Sequence, residues 1–552
     1  MMKKLTTVVT ALVCAAFGSA AFAALPIPSF DKEAVTTHPY NRTGEQEAQV
    51  RSEQPTADTV PSGNTGTAER PAFYVREIAL TGFELPDELG ELQKILAGYS
   101  CRSVNVDELQ TLASAVTDYA RRRGFTVAQA VVPPQQIENG KLEIKVYVAS
   151  YDKVELTRNE SEVADRVLQK YIAPLRSGET ITDKKLESVL NNLNDLPGVL
   201  ARGVLRPGSK PATTALEVEA IERKVWNNYL FVDNGGSKSS GRYRYGVHTE
   251  LNNLGHIGDK LGVTGYVSNK HTKNYGVNYE LPVGSRGTRL GVGYSRTSYD
   301  LGTLGIWNPT GESEGISLYG MTPVYRDKSK KLTAIYGYDH RKINDDLNLD
   351  FAGLGLKIGT EKEADVLHAG VAFSEYLPNR YTSGNLIYWY GDIDTEDTDA
   401  YYDGAYHKLT ADFSHVRYWK LWNLRLETHA QLANRELDGS ERFYLGGLSG
   451  VRAYPASETS GDTGYTATLE LRRATGIAGL EAAAFVDVGE VERFKGYGEH
   501  RKLAGWGLGL RYAKPGDWYA QFDYAWKIDG EDNVSEDHNH DGRMWFQLYK
   551  MF

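Results

Sequence analysis

Arg543-Met-Trp-Phe-Gln-Leu-Tyr-Lys-Met-Phe552 places Met544, Phe546, Leu548 and Phe552 on one face of an extended chain. The segment before it, 517–527, puts Trp518, Ala520, Phe522, Tyr524 and Trp526 on one face, with Asp517, Gln521, Asp523 and Lys527 on the other. Strands about ten residues long with an apolar row and a polar row are what a bilayer-spanning barrel requires. Lipid touches one face, a wet lumen touches the other, and every backbone group pairs with a neighbouring strand.

The same alternation recurs back to Trp226. It gives about sixteen strands, starting near 226, 243, 258, 273, 287, 314, 330, 364, 383, 405, 422, 464, 479, 503, 517 and 543. An even count returns both ends of a barrel to one side of the membrane. Connections alternate short and long. Short ones include Leu281-Pro-Val-Gly-Ser-Arg-Gly287, 326–330, 474–479 and Ala513-Lys-Pro-Gly-Asp517; long ones include 299–315, 343–365, 392–404 and 528–542. Periplasmic turns and outer loops differ in this way. A soluble all-β sandwich would not sort its loops by length.

Totals agree with this reading. The 552 residues carry a formal charge of −10, and mean hydropathy is −0.45, which excludes a helical membrane protein but not a barrel with half-polar strands. The 35 tyrosines suit the aromatic girdles of outer-membrane barrels. An acidic balance gives no support for nucleic-acid binding. Residues 1–23 read as an export signal: Lys3 and Lys4, an apolar stretch over 5–17, and Ala21-Phe22-Ala23 before Ala24. Cys14 follows Val13 inside the apolar stretch and does not fit a lipoprotein cysteine. Signal removal then leaves Cys101 as the single cysteine, so no intrachain disulfide is expected.

Residues 24–72, rich in Pro, Thr, Ser, Gly, Glu and Gln, read as an N-terminal segment and linker, with a short helix over 45–52. Two small α/β units follow, at 73–149 and 150–222. The first has a strand at 73–80, helices at 87–97 and 106–123, and strands at 126–132 and 141–148. Its longer helix spaces Leu109, Leu112, Ala113, Val116, Tyr119 and Ala120 along one face. The second repeats the order, with a strand at 153–157, helices at 161–172 and 182–196, and strands at 199–206 and 213–221. One β-α-α-β-β pattern used twice is an internal repeat. The barrel occupies 223–552.

The longest gap between strands, 433–464, follows the eleventh strand and contains Leu445-Gly-Gly-Leu-Ser-Gly-Val-Arg-Ala-Tyr-Pro455; Phe485-Val-Asp-Val-Gly489 comes two strands later. With these motifs the chain resembles the outer-membrane transporters of two-partner secretion, the haemolysin and haemagglutinin exporters of the barrel-assembly superfamily. The resemblance implies two periplasmic POTRA domains before a sixteen-stranded barrel. It also implies a sixth outer loop folded into the pore, with a V-R-G-Y tip near an F-x-D-x-G motif on the thirteenth strand. Val451, Arg452, Ala453 and Tyr454 match the tip; Phe485, Asp487 and Gly489 match the partner motif. Pro133-Pro-Gln-Gln-Ile-Glu-Asn-Gly140 matches the P-x-Q segment and turn glycine of the first POTRA. Ala453 departs from the usual glycine, so a left-handed backbone there would cost more. The family's pore-plugging N-terminal helix has no clear counterpart in 24–71.

The residues support the pair independently. On the thirteenth strand Ala482, Ala484, Val486 and Val488 share the lipid face, leaving Glu481, Ala483, Phe485, Asp487 and Gly489 on the lumen face. A carboxylate between low-dielectric walls favours a cation, and Arg binds it in a two-pronged geometry. Other chemistry is weaker. Asp537-His-Asn-His-Asp541-Gly542 copies half a calcium loop but has Leu548 where the bidentate Glu belongs. Gly505, Gly507 and Gly509 alternate within a strand, which suggests close packing inside the barrel. No catalytic order, metal-ligand cluster or nucleotide motif suggests an enzyme, and neither cofactor nor metal is expected.

The expected function is an outer-membrane channel that passes a large unfolded exoprotein (adhesin, haemolysin or contact-dependent toxin) from periplasm to cell surface. Expected partners are that cargo, outer-membrane lipids and the barrel-assembly machinery that reads Phe552. The alternative is a barrel-assembly factor, which usually has three or more POTRA units; a passive porin leaves the repeat unused.

Overall fold

The computed structural model describes residues 51–52, 72–223, 227–300, 307–327, 329–351, 354–396, 400–456, 458–528, 533, 535 and 541–552. They form two compact units, the α/β residues up to Arg223 and the barrel beyond it. The signal peptide and nearly all of the linker lie outside the described residues, as does most of the Asp537–Asp541 run. Of the short helix expected over 45–52, Arg51–Ser52 (β1) is instead extended and pairs in parallel with Val204 and Leu205.

The first α/β subunit comprises β2 (Phe73–Val75), β3 (Glu77–Gly82), α1 (Glu91–Ala97), β4 (Arg102–Val104), α2 (Val106–Arg122), β5 (Ala128–Val131) and β6 (Lys141–Val148). Its sheet order is β3-β6-β5, with β3 parallel to β6. Asn105 starts α2 with a capping box: its side chain accepts from the Glu108 N–H at 2.9 Å, and Glu108 accepts from the Asn105 N–H at 2.8 Å. The apolar face of α2 then buries Leu112, Val116 and Tyr119 against Leu142 and Ile144. The strand expected over 73–80 is broken. Arg76 donates its N–H to the Gly140 carbonyl at 2.7 Å, and β2 leaves the sheet to pair with β4, a strand the periodicity did not announce. Gly140 has φ +73°, and a Cβ there would stand 2.9 Å from that of Arg76, so this turn requires glycine. Gln135 of the P-x-Q segment bonds both backbone groups of Glu143, at 2.7 and 2.8 Å.

The second subunit comprises β7 (Ser150–Asn159), α3 (Asp165–Ile172), α4 (Asp183–Asn194), β8 (Val199–Pro207) and β9 (Thr213–Glu222). Its sheet order is β1-β8-β9-β7, and its core gathers Leu168, Ile181, Leu186, Leu193, Leu216 and Val218. Both sheets place a parallel and an antiparallel neighbour beside their central strand.

The barrel closes through sixteen antiparallel strands. They are β10 (Tyr229–Asp233), β11 (Arg244–Asn252), β12 (Lys260–Ser268), β13 (Lys273–Val283), β14 (Thr288–Asp300), β15 (Trp307–Arg326), β16 (Lys330–Phe351), β17 (Leu354–Leu377), β18 (Arg380–Thr395), β19 (Gly404–Trp419), β20 (Trp422–Ala433), β23 (Thr463–Ala474), β24 (Leu480–Glu492), β25 (His500–Lys514), β26 (Trp518–Lys527) and β27 (Gly542–Met551). Two short strands, β21 (Phe443–Leu445) and β22 (Thr459–Gly461), form a separate ribbon inside the long loop. The seam joins β10 to β27, from Tyr229↔Met551 to Asp233↔Gln547. Met544, Phe546, Leu548 and Phe552 keep the outward parity read from the sequence.

Two of the expected long loops are corrected. Most of 299–315 and 343–365 is paired strand, because β15, β16 and β17 run for 20, 22 and 24 residues. At about 3.4 Å per residue such strands overreach a hydrocarbon core by tens of ångströms. Their ends carry cross-strand ion pairs such as Lys342–Glu363 at 2.6 Å and Lys357–Asp346 at 2.9 Å.

Candidate functional site

The chain between β20 and β23 turns back into the barrel. Gly446 and Gly447, with φ +102° and +90°, make the bend that sends Val451–Tyr454 inward. Val451, Ala453 and Tyr454 are essentially fully buried, packed with Leu445, Phe485, Leu503 and Ala525.

Arg452 sits at the centre, its side chain 5% exposed, against an Asp487 that is 1% exposed. Two guanidinium nitrogens grip Asp487: Nη2 donates to Oδ1 at 2.7 Å and Nε to Oδ2 at 2.8 Å. The Arg452 backbone N–H adds a third bond to Oδ2 at 3.1 Å. This two-pronged geometry is available to arginine and not to lysine. The guanidinium carbon stands over the Phe485 ring, 3.3 Å from its centroid, a cation–π contact. Trp545 of β27 donates its indole N–H to the Arg452 carbonyl at 2.6 Å. Gly489 leaves the space that Leu445 fills. The three residues of the β24 motif thus stack, pair with and seat the loop in turn.

Periodicity alone did not single out the rest of this cluster. Arg452 Nη1 also donates to Glu470 and to Asp523, each at 3.1 Å. Both carboxylates are buried on inward rows, and Arg511 bridges them at 2.9 and 2.5 Å. Arg472 meets Glu470 at 2.5 Å, and Gln521 donates to Asp523 at 2.8 Å. The signal was present in parity: residues 470, 511 and 523 all fall on lumen rows, but alternation does not say which rows the loop tip will reach.

Ala453 needs no left-handed backbone, since it is not among the residues with positive φ. Room for its methyl comes from β25, where a Cβ at Gly505 would stand 2.5 Å from that of Ala453. The ring of Phe485 lies against Gly507 and the Asp523 carboxylate against Gly509. The three alternating glycines are a seat for the loop tip and its partners.

A second set of charges holds the loop's root. Asp438 meets Lys362 at 2.9 Å, and Glu441 meets Lys408 at 2.6 Å as well as Arg341. Burial pushes both carboxyls up, but Lys362 beside Asp438, and Arg341 with Lys408 beside Glu441, hold each down at about 2. A depressed carboxylate contributes its full stabilisation above the ordinary carboxylate range and loses it progressively as pH falls through that range toward the folded value, so acid should loosen the root of the loop.

Against this geometry, known proteins give a consistent picture. A sequence profile described as haemolysin secretion/activation protein ShlB/FhaC/HecB matches residues 213–512. The chain belongs to that family. A profile of the ShlB-type POTRA domain matches residues 73–148, the first α/β subunit. The haem/haemopexin transporter protein HuxB of Haemophilus influenzae is 25% identical over 550 residues, covering 92% of this chain and 94% of its own. The outer membrane transporter CdiB of Dickeya dadantii is 24% identical over 413 residues, 71% of each chain. Among solved structures, CdiB from Escherichia coli aligns with a TM-score of 0.70 at 20% identity, covering 96% of this chain and 100% of that one. This member of the ShlB/FhaC/HecB family is therefore an outer-membrane transporter of two-partner secretion, with its POTRA region in the periplasm. Such transporters act with a large secreted partner protein.

Proposed function

We propose that this chain is the channel through which a large exoprotein, of the adhesin, haemolysin or contact-dependent toxin class, passes unfolded from periplasm to cell surface. The observation that carries the reading is the loop held inside a sixteen-stranded barrel by ionic contacts around Arg452. Contacts of this kind keep the lumen closed at rest and can be exchanged for others without breaking a covalent bond. Edge strands of the α/β sheets (β3, β5 and β7) supply main-chain donors and acceptors for extended cargo by β-augmentation. The outward apolar rows take outer-membrane lipid. Deleting the chain from its host should abolish surface delivery of one large exoprotein while other barrels remain at normal level. A general fall in outer-membrane barrels would instead identify an assembly factor.

Phe552 serves assembly rather than transport in this reading. It ends the outward row of Phe546 and Leu548, is 56% exposed, and its N–H donates to the Asn228 carbonyl at 3.0 Å across the seam. Removing it should lower the amount of folded, heat-modifiable barrel in the membrane. A normal barrel level combined with failed export would show that its role lies in transport.

A further inference from the structure

The loop is tied to the barrel wall at two separate places, and they differ in what remains if the loop leaves. At the tip a single loop cation, Arg452, meets three wall carboxylates. Two of these keep cations of the wall itself: Glu470 holds Arg472 and Arg511, and Asp523 holds Arg511. Asp487 keeps the Thr468 hydroxyl at 2.9 Å. Withdrawing the tip therefore parts one guanidinium from three wall carboxylates, two of which keep a wall cation while Asp487 keeps a hydroxyl.

At the root the balance is different. Two buried loop carboxylates, Asp438 and Glu441, meet three wall cations carried on separate strands: Arg341 on β16, Lys362 on β17 and Lys408 on β19. Asp345 on the wall reaches Lys362 at 2.9 Å. Withdrawing the root would break the contacts of three wall cations with two buried carboxylates at once and would carry both carboxylates out of a site built for them. The root is also braced on itself. Arg442 meets Asp462 at 3.1 Å, and Asp462 accepts from the Leu437 N–H at 3.0 Å. Gln431 of β20 donates to the carbonyls of Glu441 and Asp462 at 2.9 and 3.1 Å.

We propose that this root is a fixed pivot: the tip lets go first, and the loop swings about Asp438 and Glu441 while still tethered to β16, β17 and β19. Asp438 and Glu441 are then positioning residues for the loop. They confine its travel, so the lumen clears without the loop being expelled to the cell surface.

The test uses the full chain in outer membranes, with Cys101→Ser as background and one buried reporter at a time, Leu437→Cys at the root or Val451→Cys at the tip. The probe is a membrane-impermeant maleimide. Arg452→Ala should raise the labelling rate at 451 by roughly 10-fold or more while leaving 437 protected. Asp438→Asn with Glu441→Gln, which keeps shape and removes charge, should raise labelling at 437. Lys362→Met should do the same from the wall side, so the result does not depend on one variant folding. The exchange Lys362→Asp with Asp438→Lys should return part of the protection at 437, since Asp345 would face the new aspartate. Equal rises at 437 and 451 in Arg452→Ala would overturn the pivot, as would a root that stays protected when its charges are removed in properly heat-modifiable barrels. The labelling reads the loop itself, so its outcome is separate from whether export is the function.

Discussion

Arg452→Ala is expected to cripple export while leaving the barrel inserted, and Asp487→Ala to do so less severely. Removing one partner of a buried pair costs roughly 3–5 kcal/mol, most of it from the stranded charge. Loss of Arg452 leaves Asp487 facing Glu470 and Asp523 with no loop cation among them. Loss of Asp487 leaves Arg452 still bonded to Glu470 and Asp523, each at 3.1 Å, which is why the second variant should retain more function. Arg452→Lys should fall between wild type and alanine, because an ammonium cannot make the two-pronged contact with Asp487 while the same group covers the Phe485 ring. The reciprocal exchange, Arg452→Asp with Asp487→Arg, should recover only part of the activity: the new aspartate would face the two remaining carboxylates. Secretion is read as surface delivery of the partner exoprotein, and insertion as heat-modifiable barrel. Full secretion in both alanine variants would sink the idea, as would labelling that finds position 452 freely exposed on the cell surface.

Deleting residues 73–221 should abolish export and still yield an inserted barrel. Each α/β subunit has its own apolar core, and the barrel's sixteen-strand ring takes no strand from either. The lost edges are those offered to extended cargo, so the defect should be one of cargo recognition. Membrane fractions should contain folded barrel at near-normal amount with the exoprotein held back in the periplasm. A deleted chain that inserts and secretes at the normal rate would refute the role assigned to this region.

Period-two alternation was enough to read the barrel, its strand number and the facing of each row, because lipid and lumen impose opposite polarity on neighbouring residues. Where that contrast ends, so does the signal. Beyond the bilayer both faces of β15, β16 and β17 are wet, polarity no longer alternates, and nearly half of each strand looks like loop in the sequence. Main-chain pairing with a neighbour keeps it extended, and pairing leaves no mark in composition. The same limit applies to β2, which departs from its sheet because Arg76 meets a turn at Gly140, more than sixty residues away in the chain.

At the candidate site, parity put Asp487 and its neighbours on the lumen face, and the loop's length and motif pointed to Arg452. Only the tertiary structure decided the company that arginine keeps. Glu470, Arg511, Asp523 and Trp545 come from four different strands, and Lys362, Lys408 and Arg341 grip the root from three more. A sequence fixes which side of a strand a charge occupies through local backbone geometry. Which charges meet depends on how the ring closes and how the loop crosses it, and those are long-range facts that no stretch of chain carries by itself.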